Sequence, residues 1–143
     1  MNALYRFLFP MKPASTAFSL FLLAMRLLFG SLFLIHGFQK LMNYGMLSGT
    51  FPDPLGFSSE LSLLLTILAE LGCSIAFMFG FLYRLFLLPM IFAMGIACFV
   101  IHGNEPFAAK ELAFVYLSVF VLMYIAGPGK YSLDQWIGKK SRH

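Results

Sequence analysis

The sequence predicts an all-α integral membrane protein, a four-helix bundle with its N- and C-termini in the cytoplasm. Three observations predict it. Of the 143 residues, 60% are hydrophobic and 11% charged, and the mean hydropathy is +0.84, whereas a soluble domain carries about 25% charged residues. Four apolar windows, at residues 17–38, 61–83, 85–101 and 107–126, reach or approach the roughly 20 residues that cross a hydrocarbon layer about 30 Å thick. Lys and Arg are unevenly spread: Arg6, Lys12, Arg84, Lys130, Lys139, Lys140 and Arg142 fall on one side, Lys40 and Lys110 on the other. That asymmetry puts both ends inside and places the chain in the cytoplasmic (inner) membrane as a multi-pass protein.

Residues 1–16 read as a short cytoplasmic tail, in which "FPMKP" at 9–13 breaks any helix ahead of the first window. The apolar run of that window exceeds the h-region of a cleaved signal peptide, about 7–15 residues, and no small-residue cleavage site follows it. It is a retained helix. The loop at 41–59 holds three Gly and two Pro, so it is irregular, and its apolar side chains predict that it lies against the outer face. The second window carries one charge, Glu70. "GFLYR" at 80–84 makes a tight hairpin into the third window, where Pro89 either kinks the helix or sits in its first turn. "HGNEP" at 102–106 is a second tight turn. The fourth window must take in Phe107 to Glu111 to span, with Lys110 snorkelling outward.

Residues 127–143 form a basic cytoplasmic segment. Gly127 suits a left-handed cap and Pro128 forbids continuation. Ser132 and Gln135 fit a capping box. Leu133, Trp136 and Ile137 give one apolar side to a short interfacial helix, with Lys139, Lys140 and Arg142 among the headgroups. The pI near 9.2 follows from this rule and from anionic lipid, so the partner is the lipid bilayer and no nucleic acid is called for. Cys73 and Cys98, on different helices and about 10–15 Å apart in depth, are too far apart for a disulfide and read as free thiols and apolar filler. The abundant Met and Phe read as lipid-facing bulk.

The polar residues inside the windows carry the functional question. A charge at the bilayer centre costs about 2.5–3.5 kcal/mol, so each must face protein. In the first helix Arg26, Gly30, Phe33, Gly37 and Lys40 share a stripe at 3.6 residues per turn, and the glycines predict close approach of a neighbour. Thr66, Glu70, Cys73 and Ser74 share a face of the second helix. Arg84, Gly95 and His102 share one of the third, and Glu111 and Ser118 one of the fourth. The expected packing points all four inward. Depth then predicts an Arg26–Glu70 ion pair near mid-membrane, and an outer layer of His36, Gln39, Lys40, Asn43, His102, Glu105 and Glu111, with His102 beside Glu111. The pair reads as a clasp for helix register or as a relay. Asp53 and Glu105 read as solvated loop charges. His36, His102 and Glu111 are residue types that bind zinc or iron, but their spacing is not diagnostic, and no metal ligand is assigned.

The run "RLLFGSLFLIHGFQKL" (26–41), Glu70, "GFLYR" (80–84), His102, "KELA" (110–113) and "GPGKYSLD" (127–134), together and in order, resembles the DoxX family of small four-span membrane proteins. The resemblance implies recurring polar positions at Arg26, His36, Lys40, Glu70, Arg84, His102, Glu111 and Asp134; of these Arg84 and Asp134, together with Gly30, Gly37, Gly127, Pro128 and Gly129, read as structural, and the other six as candidates for ligand binding or the polar core. It also implies links to sulfur and thiol oxidation chemistry in some relatives and to assembly chaperones in others. Two readings of function stand. One is a quinone- or lipid-binding membrane subunit, in which Lys40, His102 and Glu111 hydrogen-bond the quinone carbonyls and pass protons to the outer water, and which acts with a soluble or membrane oxidoreductase partner, since no haem, flavin or iron–sulfur motif is evident. The other is a non-catalytic scaffold or chaperone for a partner protein. Whether the chain is an enzyme stays open, quinone is the candidate cofactor, and a homo-oligomer is compatible with either reading.

Overall fold

The computed structural model describes residues 2–9 and 14–141, so the expectations for Lys12, for Arg142 and for most of "FPMKP" lie outside the described residues. Four helices are long and apolar enough to span: Thr16–Met42, Ser59–Phe79, Tyr83–Ile101 and Phe107–Ala126. Two short helices flank them, Ala3–Leu8 before and Leu133–Lys140 after, and a single turn, Tyr44–Leu47, comes after the first span. No strand occurs among the described residues.

The helix limits follow from local chemistry. Ser15 and Ser58 cap the first two spans, their hydroxyls accepting from Phe18 N–H at 3.3 Å and Leu61 N–H at 3.0 Å. The first span continues to Met42, beyond the expected 38, because nothing in "GFQKLM" breaks a helix. At 1.5 Å per residue it is about 40 Å long, so its far end stands out of the hydrocarbon or the helix tilts. Gly80, at φ 67°, ends the second span. There Phe81 N–H reaches Ala76 C=O at 3.0 Å and Gly80 N–H reaches Phe77 C=O at 3.1 Å, the paired bonds of a Schellman motif. Gly127 ends the fourth span at φ 85° but with an extended ψ of −179°, a conformation open to glycine that is not the left-handed cap expected. Ser132 caps the last helix, accepting from Gln135 N–H at 3.2 Å.

Two spans are not α-helical throughout. Leu68–Gly72 and Ala97–Ile101 are π-helical, with Cys73 N–H bonded to Leu68 C=O and His102 N–H bonded to Ala97 C=O at 3.0 Å. Each such insertion rotates the rest of its helix by about a residue, and such bulges gather at functional sites. Pro89 lies well inside the third span, beyond its first turn.

The spans pack in chain order, one on two, two on three and three on four. Lipid offers no hydrophobic drive between helices, so packing, hydrogen bonds and small residues hold such bundles. Gly30 and Gly37 serve as expected. A Cβ at Gly37 would lie 2.8 Å from Leu71 N and 2.9 Å from Glu70 C, so the two backbones touch there. The centre is aromatic: Phe33 and Phe77 meet Phe120 at 5.0 and 5.7 Å, and Phe77 stacks on Tyr83 at 5.5 Å. Met90, Met94 and Met123 are buried among them. The Phe and Met content is therefore divided between core and lipid face, not lipid-facing alone.

Candidate functional site

The polar residues separate into two clusters at opposite ends of the bundle. The expected Arg26–Glu70 ion pair does not form. Gly37 against Glu70 fixes the register of spans one and two, and Arg26 lies eleven residues, about 16 Å, away from that level. The partner of Glu70 is Lys40, with Nζ 2.7 Å from Oε2. Lys40 reaches it because the helix runs on past residue 40 and helical side chains lean toward the N-terminus. The carboxylate is buried, while 25% of the Lys40 side chain is exposed.

Near the termini, Arg26 is fully buried and donates from Nη2 to the Tyr131 carbonyl. Its Nε and Nη1 have no partner among the described residues. Gly80 has a second duty here, since a Cβ on it would overlap the Arg26 guanidinium and Ser132. Asp134 is buried and accepts from Leu82 N–H at 2.7 Å and Tyr83 N–H at 2.8 Å. It thereby caps the third span from 51 residues away in sequence and holds Leu82 at a left-handed φ of 41°. Burial pushes the Asp134 carboxyl above its ordinary value, while the Tyr83 and Leu82 N–H groups and the Arg26 charge pull it back. Tyr83 O–H donates to Met123 C=O at 2.9 Å. "GFLYR", "GPGKYSLD" and Arg26 are thus one clasp. It draws Asp134 and Gln135 of the last helix inward and leaves Leu133 and Trp136 exposed on its outer side. Gly129 lies against Leu22, and buried Pro128 precedes it.

Four further expectations change. Arg84 does not share an inward stripe with Gly95 and His102. It lies at the bundle's edge, 4.7 Å over the Phe7 ring and bonded to Phe7 C=O at 2.5 Å, and a Cβ at Gly95 would meet nothing. The inward stripe of span three is Tyr83, Leu87, Met90, Met94 and Cys98, and that of span four is Tyr116, Phe120 and Met123, not Glu111 and Ser118. His102 pairs with Glu105 at 2.9 Å and not with Glu111, because the turn brings position 105 back onto the helix end. Glu111 is exposed and makes no hydrogen bond or ion pair among the described residues. Asp53 is no free loop charge: it accepts from Phe57 N–H at 3.0 Å and Ser62 O–H at 2.8 Å.

A cavity of about 720 Å³ occupies the end of the bundle away from the termini, within the 300–1,000 Å³ of small-molecule sites. All four spans line it, and so do Phe51, Pro54 and Phe57 of the loop, which lies against the bundle as its apolar content predicts. Both π-helical segments contribute wall residues, Ala69 and Glu70 from one and Ala97 and Ile101 from the other. The walls are mostly apolar. The polar groups are Lys40, Glu70, His36, Thr66, Ser62, Tyr116 and, at the rim, His102. Thr66 is occupied by Ser62 C=O at 2.8 Å. His36 and Tyr116 stand edge to face at 5.9 Å, and neither side chain makes a hydrogen bond among the described residues. Glu111 is not on this wall. Tyr116 is the residue that the sequence reading missed. Its signal was the run Ala109, Ala113, Tyr116, Phe120, small then aromatic at helical spacing.

This geometry coincides with recorded likeness. The chain is 33% identical to inner membrane protein YqjF of Escherichia coli (strain K12) over 127 residues, covering 82% of this chain and 92% of that protein. No solved structure matches it. Residues 21–103, which carry Arg26, the Lys40–Glu70 pair and the glycine contacts of spans one and two, match DoxX. The chain, a multi-pass integral membrane protein like its inner-membrane relative, belongs to the DoxX family.

Proposed function

We propose that the cavity binds a neutral, carbonyl-bearing lipophile of the quinone class, and that the chain is a membrane subunit of an oxidoreductase system whose electrons come from a partner. One observation carries this reading. The buried charge on the wall, Glu70, is already neutralised by Lys40, while His36 and Tyr116 offer an imidazole and a phenol at the same wall. Among the described residues the wall holds no lysine or arginine for an anionic headgroup other than the paired Lys40. A carbonyl oxygen would find a phenol and an imidazole, beside Phe33 and Met94 for a ring.

Titration of the purified chain with a decyl-tailed benzoquinone tests it. Saturable binding, weakened about tenfold by Tyr116→Phe or His36→Ala, is expected, the worth of roughly one hydrogen bond. No saturable binding in the parent chain overturns the reading and leaves the scaffold role.

A further inference from the structure

Resting on that reading, the geometry points to how the ligand enters. We propose that the cavity fills sideways from the bilayer, through a slot between spans two and three, and that the ligand's hydrocarbon tail lies in this slot while its ring is inside.

Spans two and three are tightly packed near their hairpin, where Cys73–Phe79 lies on Tyr83–Ile96. Farther from the hairpin they part. Leu68–Gly72 still touches Tyr83–Ile96, whereas Ser59–Ile67 packs chiefly on span one, on Tyr44–Leu47 and on its own π-helical segment. Counting outward from the hairpin, Leu65 lies level with Ile96 and Ala97, and Glu70 with Phe92. Leu65 and Phe92 both line the cavity, yet they are 45% and 59% exposed. Part of that surface faces the cavity itself, and the proposed opening to the lipid lies between these two residues.

The opposite route is covered. The loop after span one puts Phe51, Pro54 and Phe57 into the cavity wall on the side toward water. It is tied down by Asp53 to Ser62 at 2.8 Å and by Tyr44 O–H to Glu60 at 3.0 Å. The slot is apolar, with Leu65, Phe92 and Ile96 at its edges. A polar solute gains nothing there, whereas a prenyl or alkyl tail exchanges bilayer chains for similar walls at little cost. The occupant is therefore a single-tailed membrane lipophile with a ring no larger than the cavity.

The test joins the edges of the slot. In a background with Cys73→Ala and Cys98→Ala, Leu65→Cys and Ile96→Cys are bridged by a flexible bis-maleimide in the reconstituted full chain. Binding of the decyl-tailed benzoquinone from vesicles is then measured with and without the bridge. The expected result is an association rate at least tenfold lower in the bridged protein. Equal rates overturn the sideways route while leaving the cavity reading intact. If the unbridged protein binds no quinone, the cavity reading fails first, and a second measurement decides the route alone. A bilayer-dissolved phospholipid bearing a diazirine on its acyl chain is photolysed, and its adducts are mapped. Adducts on the inner-wall residues Ala93 and Ala97 support the slot. Adducts confined to outward residues such as Leu85 and Leu88 overturn it.

Discussion

Lys40 and Glu70 hold each other at 2.7 Å, with the carboxylate buried and the amine partly exposed. The two ends of this pair are unequal. Lys40→Met leaves a buried carboxylate without compensation, which costs about 3–5 kcal/mol. Lys40→Met with Glu70→Gln removes both charges and should recover most of that loss. Thermal unfolding of the purified variants in detergent checks the order. A double variant as unstable as Lys40→Met would show that the pair is not what keeps Glu70 inside.

The glycines of span one differ in what faces them. At Gly37 a new methyl meets backbone, at Gly30 chiefly the flexible Met78 side chain. Gly37→Ala should therefore destabilise by about 1–3 kcal/mol and Gly30→Ala by less. Unfolding midpoints in the same detergent decide, and a reversed order refutes the close approach at Gly37.

Asp134 replaces a missing local cap on span three. Asp134→Ala should cost about 1–2 kcal/mol, the usual worth of a helix cap. Hydrogen exchange of the amides at 82 and 83 locates the effect. Unchanged protection there, with lost stability elsewhere, would assign Asp134 another role.

His36 and Tyr116 support no other described residue by side-chain hydrogen bonds. Tyr116→Phe keeps the buried ring and removes only a hydroxyl that bonds no described residue, so the melting temperature should stay within about 2 °C of the parent, while quinone affinity falls. A parallel loss of both would make Tyr116 a core residue only.

The excess of Lys and Arg around residues 6, 84, 130, 139 and 140 predicts that both ends face the cytoplasm. A cysteine placed at Lys139, in the chain lacking Cys73 and Cys98, should escape a membrane-impermeant maleimide added outside intact cells. Ready labelling reverses the orientation.

The four spans, the glycine interface, the helix end at Gly127, the cap at Ser132 and the inward position of Arg26 and Glu70 were legible in the sequence. They depend on apolar run length, helical period and turn residues, all of which are local. The partners of Arg26 and Glu70 were not legible. Pairing depends on the relative register of two spans, and Gly37 against Glu70 sets that register by a contact no single-chain pattern records. The stripes of spans three and four differ for another reason. Polar residues mark an inward face only where a partner waits for them: Arg84 and Glu111 lie at the bundle's edge, and the inward positions are the less conspicuous Tyr83, Leu87, Met90 and Met94 of span three and Tyr116, Phe120 and Met123 of span four. Glu70 survived its own π-helical turn because the insertion is centred on it.

The guanidinium of Arg26 and the carbonyl of Tyr131 are separated by 105 positions. At 5–20 residues per second a ribosome needs on the order of 5–20 s to make that stretch. Throughout that interval the arginine is already in the nascent first span while its acceptor does not yet exist, and span three is likewise without Asp134. Maturation of the bundle is therefore gated by the segment that carries Tyr131 and Asp134. A ribosome that stops before codon 131 releases a product with an unmet cation among its helices, the kind of lesion that membrane proteases can recognise.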